Sequence, residues 1–134
     1  MASNSKIAPI KVVLVGEIQT GKTNLITKIV SDSFKDQYES TFVPNDTTKY
    51  YEKDNKSFII NFWDTAGQEK FRTLTKLFYK NAQVVVFVYS IIDRKSFEGI
   101  KKYWINEIKE NLGDKIGKVI LFIKFCYSFL YIGK

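Results

Sequence analysis

The segment that most constrains the fold of this chain is 16–23, which reads G-E-I-Q-T-G-K-T. It fits the pattern G-x-x-x-x-G-K-[S/T], in which a glycine-rich loop surrounds phosphate groups. An apolar, β-branched run at 10–15 precedes it, and Leu25, Ile26 and Ile29 follow at helical spacing. This motif functions between a strand and a helix, so the sequence predicts a phosphate-binding loop at a helix N-terminus.

Each position of the loop has a predicted role. Gly16 and Gly21 allow the backbone to turn tightly and to approach phosphates. Lys22 is predicted to reach the β- and γ-phosphates of a nucleotide, and the Thr23 hydroxyl to bind Mg²⁺. The loop alone does not distinguish ATP from GTP. The predicted nucleotide-binding residues of this segment are Gly16, Glu17, Ile18, Gln19, Thr20, Gly21, Lys22, Thr23 and Asn24.

The composition of the chain restricts its class and its partners. A length of 134 residues with 45% hydrophobic and 26% charged residues is typical of one soluble globular domain. The net charge of +7 is compatible with nucleic acid or anionic membrane as a partner. The cations are scattered, however, and we expect a solvated basic surface and no nucleic-acid partner. The single cysteine, Cys126, cannot form an internal disulfide, and the absence of histidine excludes His-based triads.

Strand and helix patterns alternate along the chain. Strands are predicted at 10–15, 49–53, 57–64, 84–89 and 119–123, and helices at 22–31, within 65–80 and at 94–111. Asp54-Asn55 reads as the turn of a hairpin. In the last helix, Phe97, Ile100, Trp104 and Ile108 form one stripe, which predicts a packing face and nothing more.

This alternation predicts an α/β fold, a doubly wound and mostly parallel sheet with ligands at the carboxyl ends of its strands. We divide the chain into a flexible N-terminus at 1–8, a partial domain at 9–123 and a divergent apolar tail at 124–134.

A second motif, W-D-T-A-G-Q-E at 63–69, follows the third predicted strand. Asp64 lies where a carboxylate can hold the magnesium shell, and Gly67 can offer its N–H to a γ-phosphate. Gln68 carries one donor and one acceptor group and can orient an attacking water. Taken alone, Asp64 could be a turn former and Gln68 an exposed polar residue.

Together the two motifs resemble those of the small GTPases of the Ras superfamily. Four further segments are similar to the Rab branch: F-R-T-L at 71–74, F-Y-K-N-A at 78–82, V-Y-S at 88–90 and S-F at 96–97. The resemblance implies a P-loop fold with GTP or GDP and Mg²⁺ as cofactors. It also implies that Thr41 binds Mg²⁺, that Phe34 packs against the guanine ring and that Tyr38 lies over the phosphates.

The resemblance further implies a switch that hydrolyses GTP to GDP and phosphate, with Gln68 as the catalytic residue. Effector, exchange and GTPase-activating proteins would bind through Thr41–Asp46 and Gly67–Tyr79. The implied role is vesicle trafficking, with a cytoplasmic location and, for a full-length prenylated form, an endomembrane surface. Because no prenylatable C-terminal cysteine is present, we expect no stable membrane anchor for this chain.

The chain departs from the family pattern at several positions. Ile18 replaces a small residue of the phosphate loop, Phe42-Val43-Pro44 follows Thr41 where Ile-Gly is usual, and Ser90 replaces an aspartate. The guanine-binding Asn-Lys-x-Asp motif is absent, so the domain is expected to be incomplete after its fifth strand.

These departures leave two alternatives open. The first is a catalytically impaired or non-binding relative that acts, if at all, as an interaction module. The second is a P-loop ATPase or nucleotide kinase, which gives no account of the segment at 64–69.

Overall fold

The computed structural model describes residues 7–31, 45–65, 72–113 and 120–125. Its strands are β1 (Ile10–Val15), β2 (Asn45–Lys53), β3 (Lys56–Asp64), β4 (Val84–Ser90) and β5 (Ile120–Phe125). Its α-helices are α1 (Lys22–Ser31), α2 (Arg72–Tyr79), α3 (Arg94–Gly99) and α4 (Ile105–Leu112), and a π-helical turn at Ile100–Trp104 joins α3 to α4.

The five strands form one sheet in the order β2-β3-β1-β4-β5. β1 pairs in parallel with β3 and β4, β4 pairs in parallel with β5, and β2 is antiparallel to β3. The carboxyl ends of the parallel strands therefore meet at one edge, where Leu14 lies opposite Asp64 and Val15 opposite Phe87. This arrangement confirms the predicted α/β class and its mostly parallel sheet.

The hairpin between β2 and β3 turns at Asp54 and Asn55, as predicted. Both residues have a positive φ, +53° and +58°, which short polar side chains tolerate in two-residue hairpin turns. β2 begins at Asn45, four residues before the predicted start at 49, because it pairs with β3 as far as Asp64. The polar start of β2 is exposed at the sheet edge, so it carries no hydrophobic alternation.

The core lies on both faces of the sheet. On one face Val13, Val15 and Phe87 pack with Trp104 and Ile108 of the helical segment. On the other face Val12, Leu14, Val86 and Val88 pack with Ile26 of α1. Successive strand residues point to opposite faces, so the runs Val12–Val15 of β1 and Val84–Val88 of β4, which are covered on both faces, are apolar at every position.

The helical segment from Arg94 to Leu112 matches the prediction at 94–111, but its π-helical turn was not predicted. Asp93 caps its start, since the carboxylate accepts a hydrogen bond from the Lys95 amide at 3.0 Å. Gly113, with φ +53°, ends it. β5 extends to Phe125, two residues beyond the predicted end at 123. Among the residues described, no helix is long and apolar enough to span a membrane.

Candidate functional site

The loop between β1 and α1 turns sharply at the carboxyl edge of the sheet. Gly16 and Gly21 have φ values of +152° and +92°, which glycine adopts without steric cost. Gly16 also lies against β4, because a Cβ atom built on it would stand 2.1 Å from the carbonyl oxygen of Val88. Glycine is therefore required at position 16 both by conformation and by space.

Lys22, the first residue of α1, lies beneath this loop. Its Nζ donates hydrogen bonds to the carbonyl oxygens of Gly16 and Glu17, at 2.9 and 2.8 Å. Only 6% of the residue is exposed, and burial lowers the pKa of Lys22 to about 8, although the carboxylates of Asp64 and Glu17 oppose this shift. A poorly solvated cation at a helix N-terminus favours the approach of an anion.

Thr23 and Asp64 meet at the same edge. The Thr23 hydroxyl donates to Asp64 Oδ2 at 2.5 Å, which joins the first turn of α1 to the end of β3. Thr65, the residue after β3, is buried and its hydroxyl donates to the Leu14 carbonyl oxygen at 2.5 Å. The predicted site residues of the two motifs are thus brought together by the parallel pairing of β1 and β3.

The donor set of this pair fits a magnesium ion. Hydroxyl and carboxylate oxygens are hard ligands, which Mg²⁺ prefers, and it is usually bound by one or two carboxylates together with phosphates. Within the described parts of the chain, no group of three or more cysteine, aspartate or glutamate side chains could hold a metal ion. An ion at Thr23 and Asp64 would therefore depend on phosphate oxygens and water for its remaining ligands.

Of the other predicted site residues, some lie within the described ranges and the rest lie outside them. Ile18 and Gln19 are exposed at the tip of the loop, and Asn24 is half-buried in the first turn of α1. Of the predicted partner segments, the structure describes Asn45, Asp46 and the helix α2. The predicted residues that lie outside the described ranges, and so remain predictions, are Phe34, Tyr38, Thr41, Gly67 and Gln68.

One contact of the loop was missed by sequence reasoning. The Trp104 indole Nε1 donates to the Glu17 carboxylate at 3.1 Å, across 87 residues of sequence. The prediction that the stripe containing Trp104 is a packing face and nothing more was therefore incomplete. The sequence could have indicated that Trp104 needs a hydrogen-bond acceptor, because the N–H of a buried tryptophan usually has one.

Comparison with known proteins agrees with this geometry. The sequence model of the Ras family matches residues 11–126. The chain is 36% identical to GTP-binding protein YPTM2 of Zea mays, 38% to Ras-related protein Rab-13 of Canis lupus familiaris and 34% to Ras-related protein RABD2b of Arabidopsis thaliana. Each match covers 111 residues, which is 83% of this chain and 54% of the relative. The chain thus spans about half the length of the curated relatives it matches.

Proposed function

Because this chain belongs to the Ras family, we propose that it is a Rab-like switch that binds guanine nucleotides and hydrolyses GTP to GDP and phosphate with Mg²⁺. The observation that carries this proposal is the junction at the carboxyl edge of the sheet. There the buried ammonium of Lys22 and the hydroxyl–carboxylate pair of Thr23 and Asp64 adjoin one glycine-bounded loop.

Phosphate binding follows from the loop and the start of α1. Backbone N–H groups at the beginning of a helix carry partial positive charge and have no partner within the helix. Lys22 adds a full charge, whose burial weakens competition from water. Gly16 and Gly21 keep side chains away from the approaching phosphates. These residues would bind the β- and γ-phosphates in an orientation set by the rigid strand β1.

Thr23 and Asp64 would hold Mg²⁺, together with Thr41 as the resemblance implies. When bound, the ion neutralises charge that develops on the phosphates during transfer. Asp64 is 3% exposed and is the last residue of β3, so burial and the strand backbone hold its carboxylate in place. Preorganised groups of this kind lower the barrier because they need not reorganise during the reaction.

Gln68 would orient the attacking water, and the Gly67 N–H would contact the γ-phosphate. The segments Thr41–Asp46 and Gly67–Tyr79 would change with nucleotide state and bind effector, exchange and GTPase-activating proteins. We propose vesicle trafficking at endomembranes as the process that this switch regulates. The similarity to relatives such as Ras-related protein Rab-13 supports a Rab-like role.

The test is binding of a fluorescent GDP analogue to the full chain with and without Mg²⁺. Chelation of Mg²⁺ should weaken binding of the parent about tenfold or more, and Thr23→Val should remove that dependence. Lys53→Ala serves as the control, because Lys53 is exposed at the hairpin on the opposite edge of the sheet. Binding that is absent, or equally strong in parent and Thr23→Val with and without Mg²⁺, would contradict the proposal.

One observation favours a second candidate function, a nucleotide-binding interaction module with impaired hydrolysis. Ile18 places a branched side chain, 37% exposed, at the tip of the phosphate loop. Such a side chain would crowd the proposed position of Gln68 and of an incoming arginine. A single-turnover assay of GTP hydrolysis separates the two functions, since an impaired module would bind GTP but leave it intact.

A further inference from the structure

We propose that Glu17 is a positioning residue that couples the phosphate loop to the helical segment Arg94–Leu112, so that nucleotide binding changes the environment of Trp104. This inference rests on the proposed nucleotide binding. It goes beyond that proposal because it assigns to the Glu17 side chain the transmission of a change from the phosphate loop to Trp104. Three features of the structure support it: the contact itself, the space around it and the shape of the helix.

The contact joins a loop residue to the core. Trp104 is fully buried, and its indole N–H donates to Glu17 Oε1 at 3.1 Å. A hydrogen bond to a charged acceptor contributes more than one between neutral groups, and a buried donor that loses its acceptor costs additional free energy. The carboxylate of Glu17 is therefore held in one place by the helix.

Gly99 leaves the space that this carboxylate occupies. A Cβ atom built on Gly99 would stand 2.5 Å from Glu17 Oε1 and 3.0 Å from its Cδ and Cγ. The φ of Gly99 is −59°, which any residue can adopt, so conformation does not require glycine at this position. The three atoms nearest to that Cβ all belong to the Glu17 side chain, so a larger residue at position 99 would displace the carboxylate.

The helix is widened at the same place. The π-helical turn begins directly after Gly99 and ends at Trp104, so both of its ends adjoin Glu17. One extra residue in a turn rotates the side chains that follow by roughly 100° relative to an uninterrupted α-helix. π-helical turns of this kind frequently mark functional sites.

The backbone of Glu17 contacts the phosphate loop, whereas its side chain contacts the helical segment. Its carbonyl oxygen accepts hydrogen bonds from Lys22 Nζ at 2.8 Å and from the Thr20 hydroxyl at 2.9 Å. A phosphate that attracts Lys22 would alter this contact. Since the other end of the residue is bonded to Trp104, the change would reach the indole.

The experiment uses Trp104 fluorescence in the full chain. Trp63 and Trp104 are the two tryptophans, so Trp63→Phe leaves Trp104 as the single reporter. In this background, GDP with Mg²⁺ is titrated into the parent, Glu17→Ala, Glu17→Gln, Gly99→Ala and Glu110→Ala. Glu110→Ala is the matched control, because Glu110 is an exposed glutamate of α4. Circular dichroism verifies that each variant is folded.

We expect GDP to shift the Trp104 emission of the parent and of Glu110→Ala. Glu17→Ala should abolish the shift and weaken GDP binding about tenfold, the loss expected for one hydrogen bond to a charged group. Gly99→Ala should act in the same direction by displacing the carboxylate. Glu17→Gln should restore the shift and return the affinity to within about threefold, because the amide oxygen still accepts from the indole.

Two outcomes would overturn the inference alone: parental affinity and emission shift in Glu17→Ala, or equal losses in Glu17→Gln and Glu17→Ala. A parent that binds no GDP would overturn the proposed function, and the inference with it. The two failures are thus distinguishable in one series of titrations.

Discussion

At the scale of single residues, the phosphate loop and the first turn of α1 bury Lys22. Its Nζ rests on two carbonyl oxygens of the loop, with Asp64 and Glu17 as the nearby negative charges. The removal of the ammonium from water has a larger effect on its pKa than these favourable contacts have. The pKa of Lys22 therefore falls to about 8. A buried ammonium at a helix N-terminus, beside a glycine-bounded loop, is a candidate binding group for an anion.

We therefore predict opposite effects of Lys22→Met on binding and on folding. Binding of the fluorescent GDP analogue should become undetectable, because the variant lacks the charge that we propose to bind the phosphates. The free energy of unfolding of the nucleotide-free protein at pH 7 should stay the same or rise, by no more than about 3 kcal/mol, since no ammonium is desolvated. Urea denaturation measures the second quantity. A destabilised variant would show that the carbonyl contacts of Lys22 outweigh its desolvation.

Ile18 gives the second prediction at this scale. Ile18→Gly should raise the single-turnover rate of GTP hydrolysis, because removal of the branched side chain would clear the position that we propose for Gln68. A misplacement of about 1 Å can cost about 10²-fold in rate, so we expect an increase of tenfold or more. Ile92→Gly is the control, since Ile92 is an exposed isoleucine just beyond β4. An unchanged rate with intact GTP binding would show that Ile18 is no obstruction.

At the scale of secondary-structure elements, the site depends on close contact between the loop and its neighbouring strand. The end of β4 passes so near Gly16 that no Cβ atom fits there.

A second contact between elements joins α2 to α4. Lys76 Nζ and Glu107 Oε1 form an ion pair at 3.3 Å, and the glutamate side chain is 7% exposed. Because Glu107 is buried, we expect this ion pair to contribute more to stability than an exposed pair does.

Gly16→Ala should lower the free energy of unfolding by about 3 kcal/mol or more, because strain at φ +152° adds to the clash with Val88. Gly113→Ala separates these two effects. Gly113 also has a positive φ, but among the described residues, its chain neighbours aside, no atom lies within 4 Å of its built Cβ. The backbone of Gly113, at φ +53° and ψ −145°, is strained for any other residue, so we expect a loss of about 1 to 3 kcal/mol there from strain alone. Equal losses in urea denaturation would remove the clash from the explanation.

A double-mutant cycle of Lys76→Met and Glu107→Gln should give a coupling energy of about 1 kcal/mol, at the upper end for partly exposed pairs. The corresponding cycle for Arg94 and Glu98, which are 90% and 40% exposed, should give about 0.5 kcal/mol or less. Thermal or chemical denaturation provides both values. If the exposed pair couples as strongly, burial of Glu107 does not strengthen the link between α2 and α4.

At the scale of the whole molecule, one sheet separates two apolar cores and carries the site at one of its edges. Strands β1 and β4 belong to both cores, and both adjoin the phosphate loop. Ligand binding at that edge should therefore stabilise the described domain as a unit. The gain depends on ligand concentration relative to the dissociation constant.

GDP with Mg²⁺ at about 100 times its dissociation constant should add about 2.7 kcal/mol of stability, which corresponds to a rise in Tm of roughly 10 °C. Differential scanning fluorimetry measures this rise, with Lys22→Met as the variant that should show none. An equal rise in Lys22→Met would place the nucleotide elsewhere on the protein.

The sequence by itself determined the α/β class of this protein and the position of its glycine-bounded loop between a strand and a helix. The glycine pattern at 16–23 and the buried-strand runs at 10–15 and 84–89 are local signals, each legible without knowledge of its neighbours. Their order along the chain predicted a parallel sheet with a site at its carboxyl edge. The hairpin at Asp54-Asn55 was equally local, because two residues determine such a turn.

Only the tertiary structure decided which residues meet. Thr23 and Asp64 are 41 residues apart, and Glu17 and Trp104 are 87 apart, so no local pattern relates them. The π-helical turn and the early start of β2 are likewise decided by packing and pairing with distant elements. Amphipathic spacing assigned Trp104 to the core, but the partner of its indole N–H depends on where the phosphate loop passes the helix.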